Sequence, residues 1–108
     1  MISEFTQKDY ELIDSAYSLL KESAKKRCPS QREMGVIEKA FNFANDAHRN
    51  VRRRSGEPYM LHPIAVARIV VDDISLGYKS ISAALLHDVV EDTDYTVDDI
   101  REVFLQKT

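Results

Sequence analysis

Apolar residues recur at steps of three and four over two long stretches in the first half of the chain. This spacing places the apolar side chains on one face of an α-helix. The first stretch predicts a helix over about 6–26, capped by Thr6 with Asp9 three positions later. The second predicts a helix from the capping box Ser30–Glu33 to about residue 49. Its apolar stripe consists of Met34, Ile37, Phe41, Ala44 and His48.

Three shorter patterns in the second half predict further helices. Pro63 has the fixed φ favoured at a first helical position, so a third helix is expected to begin with His62 at or beside its N-cap. A fourth helix is expected from about Ser80, and its apolar stripe ends in the ionisable Asp88. Thr96 can cap a fifth helix. No segment alternates with period two over more than a few residues, so no sheet is expected.

The composition agrees with one small helical domain. The chain has 108 residues with only 3 Gly and 3 Pro, which leaves few turn residues and favours a few long helices. Its 44% hydrophobic and 31% charged residues exclude a disordered or collagen-like chain. No apolar run approaches the roughly 18 residues of a membrane span, and no signal peptide is recognisable, so the expected location is the cytoplasm. We therefore predict a single all-α domain, a compact bundle of about five helices over 1–108.

The charges are strongly polarised along the chain. The net charge of −3 argues against a nucleic-acid-coating protein. Four arginines nevertheless lie within residues 49–54, on a segment expected to be a loop, whereas residues 88–99 contain six acids and no base. This distribution suggests a site that holds both an anion and a cation. The single Cys28 excludes an intramolecular disulfide, so further stabilisation must come from packing or from a bound ion.

Histidine and carboxylate residues cluster at the end of the predicted fourth helix. His87 and Asp88 are followed one turn later by Glu91 and Asp92. Imidazole and carboxylate together suit Mn, Fe, Zn or Ni better than Mg or Ca. His62 lies one helix upstream, where it can return to the same end of the bundle and supply a third ligand. The alternative for the acidic residues is a solvated helix end.

Three sequence blocks resemble a known family. They are RRSGEPY at 53–59, HP at 62–63 and ALLHDVVEDT at 84–93. Together they resemble the N-terminal hydrolase domain of the RelA/SpoT homologues, which belong to the HD superfamily of metal-dependent phosphohydrolases. The resemblance extends over residues 31–106.

This resemblance implies an HD-type helical bundle that binds Mn²⁺ and removes the 3′-pyrophosphate from (p)ppGpp, leaving GDP or GTP. The implied site residues are the metal ligands His62, His87 and Asp88, the acidic pair Glu91 and Asp92 beside the attacking water, and the nucleotide-binding Arg53, Arg54 and Ser55. The implied partner is a guanosine nucleotide, with no nucleic acid and no membrane.

The resemblance also implies a fourth metal ligand, an aspartate on a later helix past Thr108. The chain is therefore expected to be a partial HD domain with three of four ligands, fully active only in a longer chain. The apolar face of its last helix is expected to pack against a neighbouring molecule. Two alternatives stay open: an HD phosphohydrolase of another nucleotide, and a non-catalytic nucleotide- or partner-binding protein. His48 matches no ligand position and is expected to be a core residue.

Overall fold

Four helices make up the described part of the computed structural model, which covers residues 4–27, 30–74 and 77–89. The helices are α1 (Gln7–Lys25), α2 (Gln31–Ala47), α3 (Leu61–Asp72) and α4 (Tyr78–Leu86). Within these ranges the only β-structure is an isolated antiparallel bridge between Arg52 and Pro58. The predicted all-α class is confirmed. The predicted fifth helix, from Thr96, lies outside the described residues.

Side-chain caps begin the first two helices where the sequence predicted them. The Thr6 hydroxyl accepts the Asp9 amide at 3.3 Å, and the Asp9 carboxylate accepts the Thr6 amide at 2.7 Å. The Ser30 hydroxyl accepts the amides of Arg32 and Glu33 at 3.1 and 3.2 Å. Each cap satisfies amides that have no partner within the helix, a contribution of about 1 kcal/mol.

The third helix begins earlier than predicted. It starts at Leu61, so His62 is its second residue rather than its N-cap. Pro63 is still compatible with the first turn, because the first amides of a helix have no intrahelical acceptor. The amides of Leu61 and His62 instead donate to the carbonyls of Pro58 and Tyr59, at 3.2 and 2.9 Å. Because these two carbonyls lie in the preceding loop, the helix can begin at Leu61, earlier than predicted.

Helix α4 packs against both α2 and α3, and α1 packs against α3. The interior is filled by fully buried apolar side chains from every helix: Ile13, Leu20, Ile37, Met60, Ile64, Ile81, Leu85 and Val89. Tyr17 of α1 stacks on Phe41 of α2 with ring centroids 3.8 Å apart. Ile74 lies past the end of α3 at Asp72 and is 55% exposed. Packing of α4 against α2 and α3 positions His87 and Asp88, which directly follow it. Among the described residues, no helix is both long and apolar enough to cross a membrane.

Candidate metal centre

The arginine segment between α2 and α3 is a tight, hydrogen-bonded turn. The Arg53 amide donates to the Glu57 carbonyl at 2.9 Å, and the Gly56 amide donates to the Arg53 carbonyl at 2.8 Å. Gly56 has φ = 101°, a conformation that favours glycine. One residue further out, the Tyr59 amide donates to the Val51 carbonyl at 2.8 Å. The segment is therefore a small hairpin with a defined shape, not an irregular loop.

Arg52 attaches this turn to the beginning of α1. Its guanidinium donates to both carboxylate oxygens of Asp9, at 2.7 and 3.2 Å. It also donates to the carbonyls of Glu4 and Gly56, at 2.9 and 3.0 Å. Its Cζ lies 5.2 Å from the centroid of the Phe5 ring. The hydrogen bonds from Arg52, with those from the capping residue, hold the pKa of Asp9 well below its usual range.

The four arginines do not form one anion site. Arg52 is occupied by Asp9, and the exposed Arg49 donates to Asp46 at 2.7 Å. Arg53 and Arg54 are exposed, and the Glu57 carboxylate interacts electrostatically with Arg53. The structure thus divides the cluster into two paired arginines and two that face solvent. The two solvent-facing arginines are those that the family resemblance implied for nucleotide binding.

Ser55 also lies in the exposed turn. Its hydroxyl donates to the Glu57 carboxylate, and this hydrogen bond lowers the pKa of Glu57. Glu57 is consequently ionised at neutral pH and contributes one negative charge next to Arg53. The Ser55 oxygen retains acceptor capacity for a ligand hydroxyl or amine, although its own proton is engaged.

His62, His87 and Asp88 meet in one cluster at the ends of α3 and α4. The His87 Nε2 and His62 Nε2 atoms lie 3.2 and 3.6 Å from the Asp88 Oδ2 atom. One ligand atom from each residue can be chosen so that all three lie within 4.8 Å of one another. His62 arrives from the first turn of α3, and His87 is the C-cap of α4. The three predicted metal ligands are therefore brought together.

Hydrogen bonding prepares His87 to bind a metal. Its Nδ1 contacts the carbonyl oxygen of Ala84, and because a carbonyl only accepts, Nδ1 must carry the proton. In the neutral imidazole the lone pair is then on Nε2, the atom that faces the Asp88 carboxylate. A metal-bound histidine is commonly oriented in this way by a backbone carbonyl. The Asp88 side chain is only 13% exposed, whereas His62 and His87 are 34% and 40% exposed, so the cluster opens to solvent on the imidazole side.

The donor set fits one divalent transition-metal ion. Two neighbouring ligands at about 2.1 Å from one ion lie about 3.0–3.4 Å apart. The observed separations of 3.2 and 3.6 Å between the imidazole nitrogens and the carboxylate oxygen are close to that range. Two imidazoles and one carboxylate are ligands for Mn, Fe, Zn or Ni rather than for Mg or Ca. A bound ion would also neutralise the half-enclosed Asp88 carboxylate.

Tyr59 also belongs to this cluster, a contact that the sequence patterns did not indicate. Its hydroxyl donates to the Asp88 Oδ2 atom at 3.0 Å. Its ring stacks on that of His48, with centroids 5.0 Å apart. His48 is completely buried, and its Nδ1 donates to the Ala44 carbonyl at 3.0 Å. His48 is thus a core residue, as expected, and its ring packs against one face of the Tyr59 ring.

Two predicted site residues lie outside the described part of the structure. Glu91 and Asp92 follow Asp88 in the sequence, but the described residues end at Val89. Helix α4 ends at Leu86, so the expected pairing of His87 with Glu91 along one helix also falls outside the described range.

Known proteins resemble this chain over the segment that contains the cluster. The family model described as HD domain matches residues 40–108. The protein is 45% identical over 75 residues to "Putative GTP diphosphokinase RSH1, chloroplastic" of Arabidopsis thaliana, a match covering 68% of this chain and 8% of the relative. It is 47% identical over 68 residues to "Bifunctional (p)ppGpp synthase/hydrolase SpoT" of Escherichia coli strain K12, covering 63% and 10%. With "Guanosine-3′,5′-bis(diphosphate) 3′-pyrophosphohydrolase" of Aquifex aeolicus the identity is 43% over 68 residues, again covering 63% and 10%.

The chain spans about a tenth of the length of these relatives. The matched residues 40–108 include the arginine turn and all three clustered ligands. Because the family model covers more than half of the chain, this protein belongs to the HD domain family, and its relatives there are RelA/SpoT homologues.

Proposed function

We propose that the protein hydrolyses the 3′-pyrophosphate of (p)ppGpp in a Mn²⁺-dependent reaction that yields GDP or GTP and pyrophosphate. The observation that carries this proposal is the convergence of His62, His87 and Asp88 from two helices beside a turn with two exposed arginines. A cation site and an anion site then lie side by side, an arrangement suited to metal-assisted hydrolysis of a phosphate ester. The names of the relatives from Escherichia coli and Aquifex aeolicus include the same activity.

The donor set favours hydrolysis over nucleotide synthesis, although the names of the relatives include both activities. Enzymes that transfer phosphoryl groups from ATP generally hold Mg²⁺ through carboxylates and the substrate phosphates. His62 and His87 are poor ligands for Mg²⁺, because imidazole binds divalent transition-metal ions in preference to Mg²⁺. An ion bound to these residues and to Asp88 would supply a water of lowered pKa, which is the nucleophile of a hydrolase.

The residues of the chain have distinct roles in this proposal. Arg53 and Arg54 bind the phosphates of the nucleotide, because guanidinium groups match phosphate oxygens in a bidentate geometry. Glu91 and Asp92, assigned from the sequence motif alone, accept the proton of the attacking water or orient it. The water oxygen forms a bond to the phosphorus attached to ribose O3′, the P–O3′ bond breaks, and O3′ takes up a proton.

The test measures pyrophosphate release from ppGpp with Mn²⁺ present, and after its removal with EDTA. We expect release only with Mn²⁺, and we expect His87→Ala to abolish it. Arg49→Ala is the matched control, because this exposed arginine of the same segment pairs with Asp46 and should leave release unchanged. The proposal is wrong if pyrophosphate is released neither by this chain nor by a longer chain that supplies the implied fourth ligand, or if His87→Ala retains full activity. Binding of ppGpp without release would instead identify the non-catalytic alternative.

A further inference from the structure

Tyr59 connects the turn that carries the exposed arginines to the candidate metal ligands. Its hydroxyl donates to the Asp88 Oδ2 atom at 3.0 Å. Its backbone carbonyl accepts the His62 amide at 2.9 Å. One residue therefore contacts two of the three clustered candidate ligands: His62 in the first turn of α3, and Asp88 just past the end of α4.

The position of the Tyr59 side chain is fixed from two further directions. The buried His48 ring stacks on it at an interplanar angle of 22°. The Arg53 guanidinium carbon lies 6.0 Å from the ring centroid, within the range of a cation–π contact. The Tyr59 amide is held by the Val51 carbonyl at 2.8 Å. A hydroxyl carried by so constrained a ring has little freedom to leave Asp88.

We propose that Tyr59 is the positioning residue that orients the Asp88 carboxylate toward the metal. A carboxylate oxygen has two lone pairs, so Oδ2 can accept the tyrosine hydrogen bond and still bind an ion. The hydrogen bond selects the Asp88 rotamer that faces His62 and His87, and the metal site is thereby formed before the ion arrives. This inference rests on the proposed function, since it assigns Tyr59 a role toward the proposed metal.

The expected effect is on metal affinity rather than on folding. Removal of a residue that orients a metal ligand typically weakens metal binding by about 10- to 100-fold. Tyr59→Phe removes only the hydroxyl and retains the ring that packs on His48. We therefore expect the melting temperature of the metal-free protein to change little while the Kd for Mn²⁺ rises by about 10-fold or more.

Mn²⁺ titration followed by the electron paramagnetic resonance signal of the free ion measures this Kd directly. Tyr10→Phe is the matched control, because Tyr10 is 44% exposed on α1 and packs edge-on against Phe5. Its Kd should stay within about twofold of the unmodified protein. Melting of each metal-free variant by circular dichroism separates loss of affinity from loss of structure.

A Kd of Tyr59→Phe equal to that of the unmodified protein, with Mn²⁺ bound by both, would refute the positioning role and leave the proposed function standing. A second variant, Tyr59→Leu, removes ring and hydroxyl together and should lower both melting temperature and affinity. Melting at a lower temperature with unchanged Mn²⁺ affinity would show that Tyr59 only packs. If the unmodified protein binds no Mn²⁺, the proposed function fails and the inference fails with it.

Discussion

Arg52 and Arg53 are neighbours in the sequence, and replacing them one at a time should affect different properties of the protein. Arg52 makes four hydrogen bonds in the described structure, to the Asp9 carboxylate and to two backbone carbonyls. Arg53 is exposed and contacts the face of the Tyr59 ring. We expect Arg52→Ala to lower stability and Arg53→Ala to weaken nucleotide binding.

The stability effect can be scaled against Arg49, which makes a 2.7 Å ion pair with Asp46. Those two side chains are 62% and 59% exposed, so the pair contributes about 0–1 kcal/mol. The cation–π contact of Arg53 lies in the same range at an exposed position. For a domain of this size, 1 kcal/mol shifts the melting temperature by about 4–8 °C. Arg52 and Asp9 are each only 12% exposed, so Arg52→Ala should lower the melting temperature by about three times as much as Arg49→Ala, or more.

The binding effect follows from the strength of charge-assisted hydrogen bonds. One such bond to phosphate contributes about 1.5–3 kcal/mol, which corresponds to a 10- to 150-fold change in Kd. Arg53→Ala should therefore raise the Kd for ppGpp by about 10-fold or more, while Arg49→Ala should leave it within about twofold.

Isothermal titration calorimetry with ppGpp on the metal-free protein measures binding without turnover, and thermal melting measures stability. Comparison of the three variants makes the result independent of the absolute scale of either measurement. Equal melting temperatures for Arg52→Ala and Arg49→Ala would show that the Asp9 pair contributes nothing beyond a surface ion pair. Unchanged ppGpp affinity in Arg53→Ala would refute its assignment to phosphate binding.

Four further outcomes are expected. The lowered pKa of Asp9 stabilises the fold at pH values above the ordinary carboxyl pKa of 3.8, so Asp9→Asn should be less stable than the unmodified protein at about pH 7. In urea denaturation this difference in stability should shrink as the pH falls below 3.8. A difference that does not change with pH would contradict the ion pair. Gly56→Ala should lower the free energy of unfolding, measured by urea denaturation, by about 1–2 kcal/mol, because an alanine at φ = 101° is strained. Steric clash adds nothing, since no atom lies within 4 Å of the added Cβ. An unchanged stability would contradict the turn geometry. Leu85→Ala should lower the free energy of unfolding by about 3–5 kcal/mol in the same measurement, because Leu85 is completely buried on α4. A decrease below about 1 kcal/mol would contradict that packing. Mn²⁺ at about 100 times its Kd should stabilise the protein by about 2.7 kcal/mol, reversibly with EDTA, and the same concentration should have no such effect on His87→Ala.

The helices were predictable because their signals are local. The Thr6 and Ser30 caps act within three residues, and the apolar stripes repeat within single helices. The start of α3 was missed because its first amides, those of Leu61 and His62, are satisfied by loop carbonyls. The fixed φ of Pro63 suits any position in the first turn, and thus could not identify the first residue.

The cluster of candidate ligands was partly predictable from the sequence, but the contacts that hold its surroundings in place were not. His87 and Asp88 are adjacent in the sequence, and the family resemblance linked them to His62, which lies one helix upstream. The partners of Arg52 and Tyr59 lie 43 and 29 residues away, at positions that no periodicity connects. Tyrosine near a histidine is too common a pattern to indicate a hydrogen bond to a metal ligand. Those contacts arise only when α1, α3 and α4 pack together.

The different contacts of Arg52 and Arg53 follow from the backbone conformation of the turn. Arg52 lies in a β-bridge with Pro58, and successive side chains on an extended backbone point to opposite faces. Arg52 consequently lies over Phe5 at the beginning of α1, whereas Arg53 lies over Tyr59 on the side of the candidate metal centre. A bridge of this kind lets two identical residues perform two tasks: one charge anchors the turn, and the next is presented to an anion. A slip of the bridge by one residue would exchange the two faces, so the hydrogen bonds that fix the register of the turn also determine which arginine is available to the proposed nucleotide.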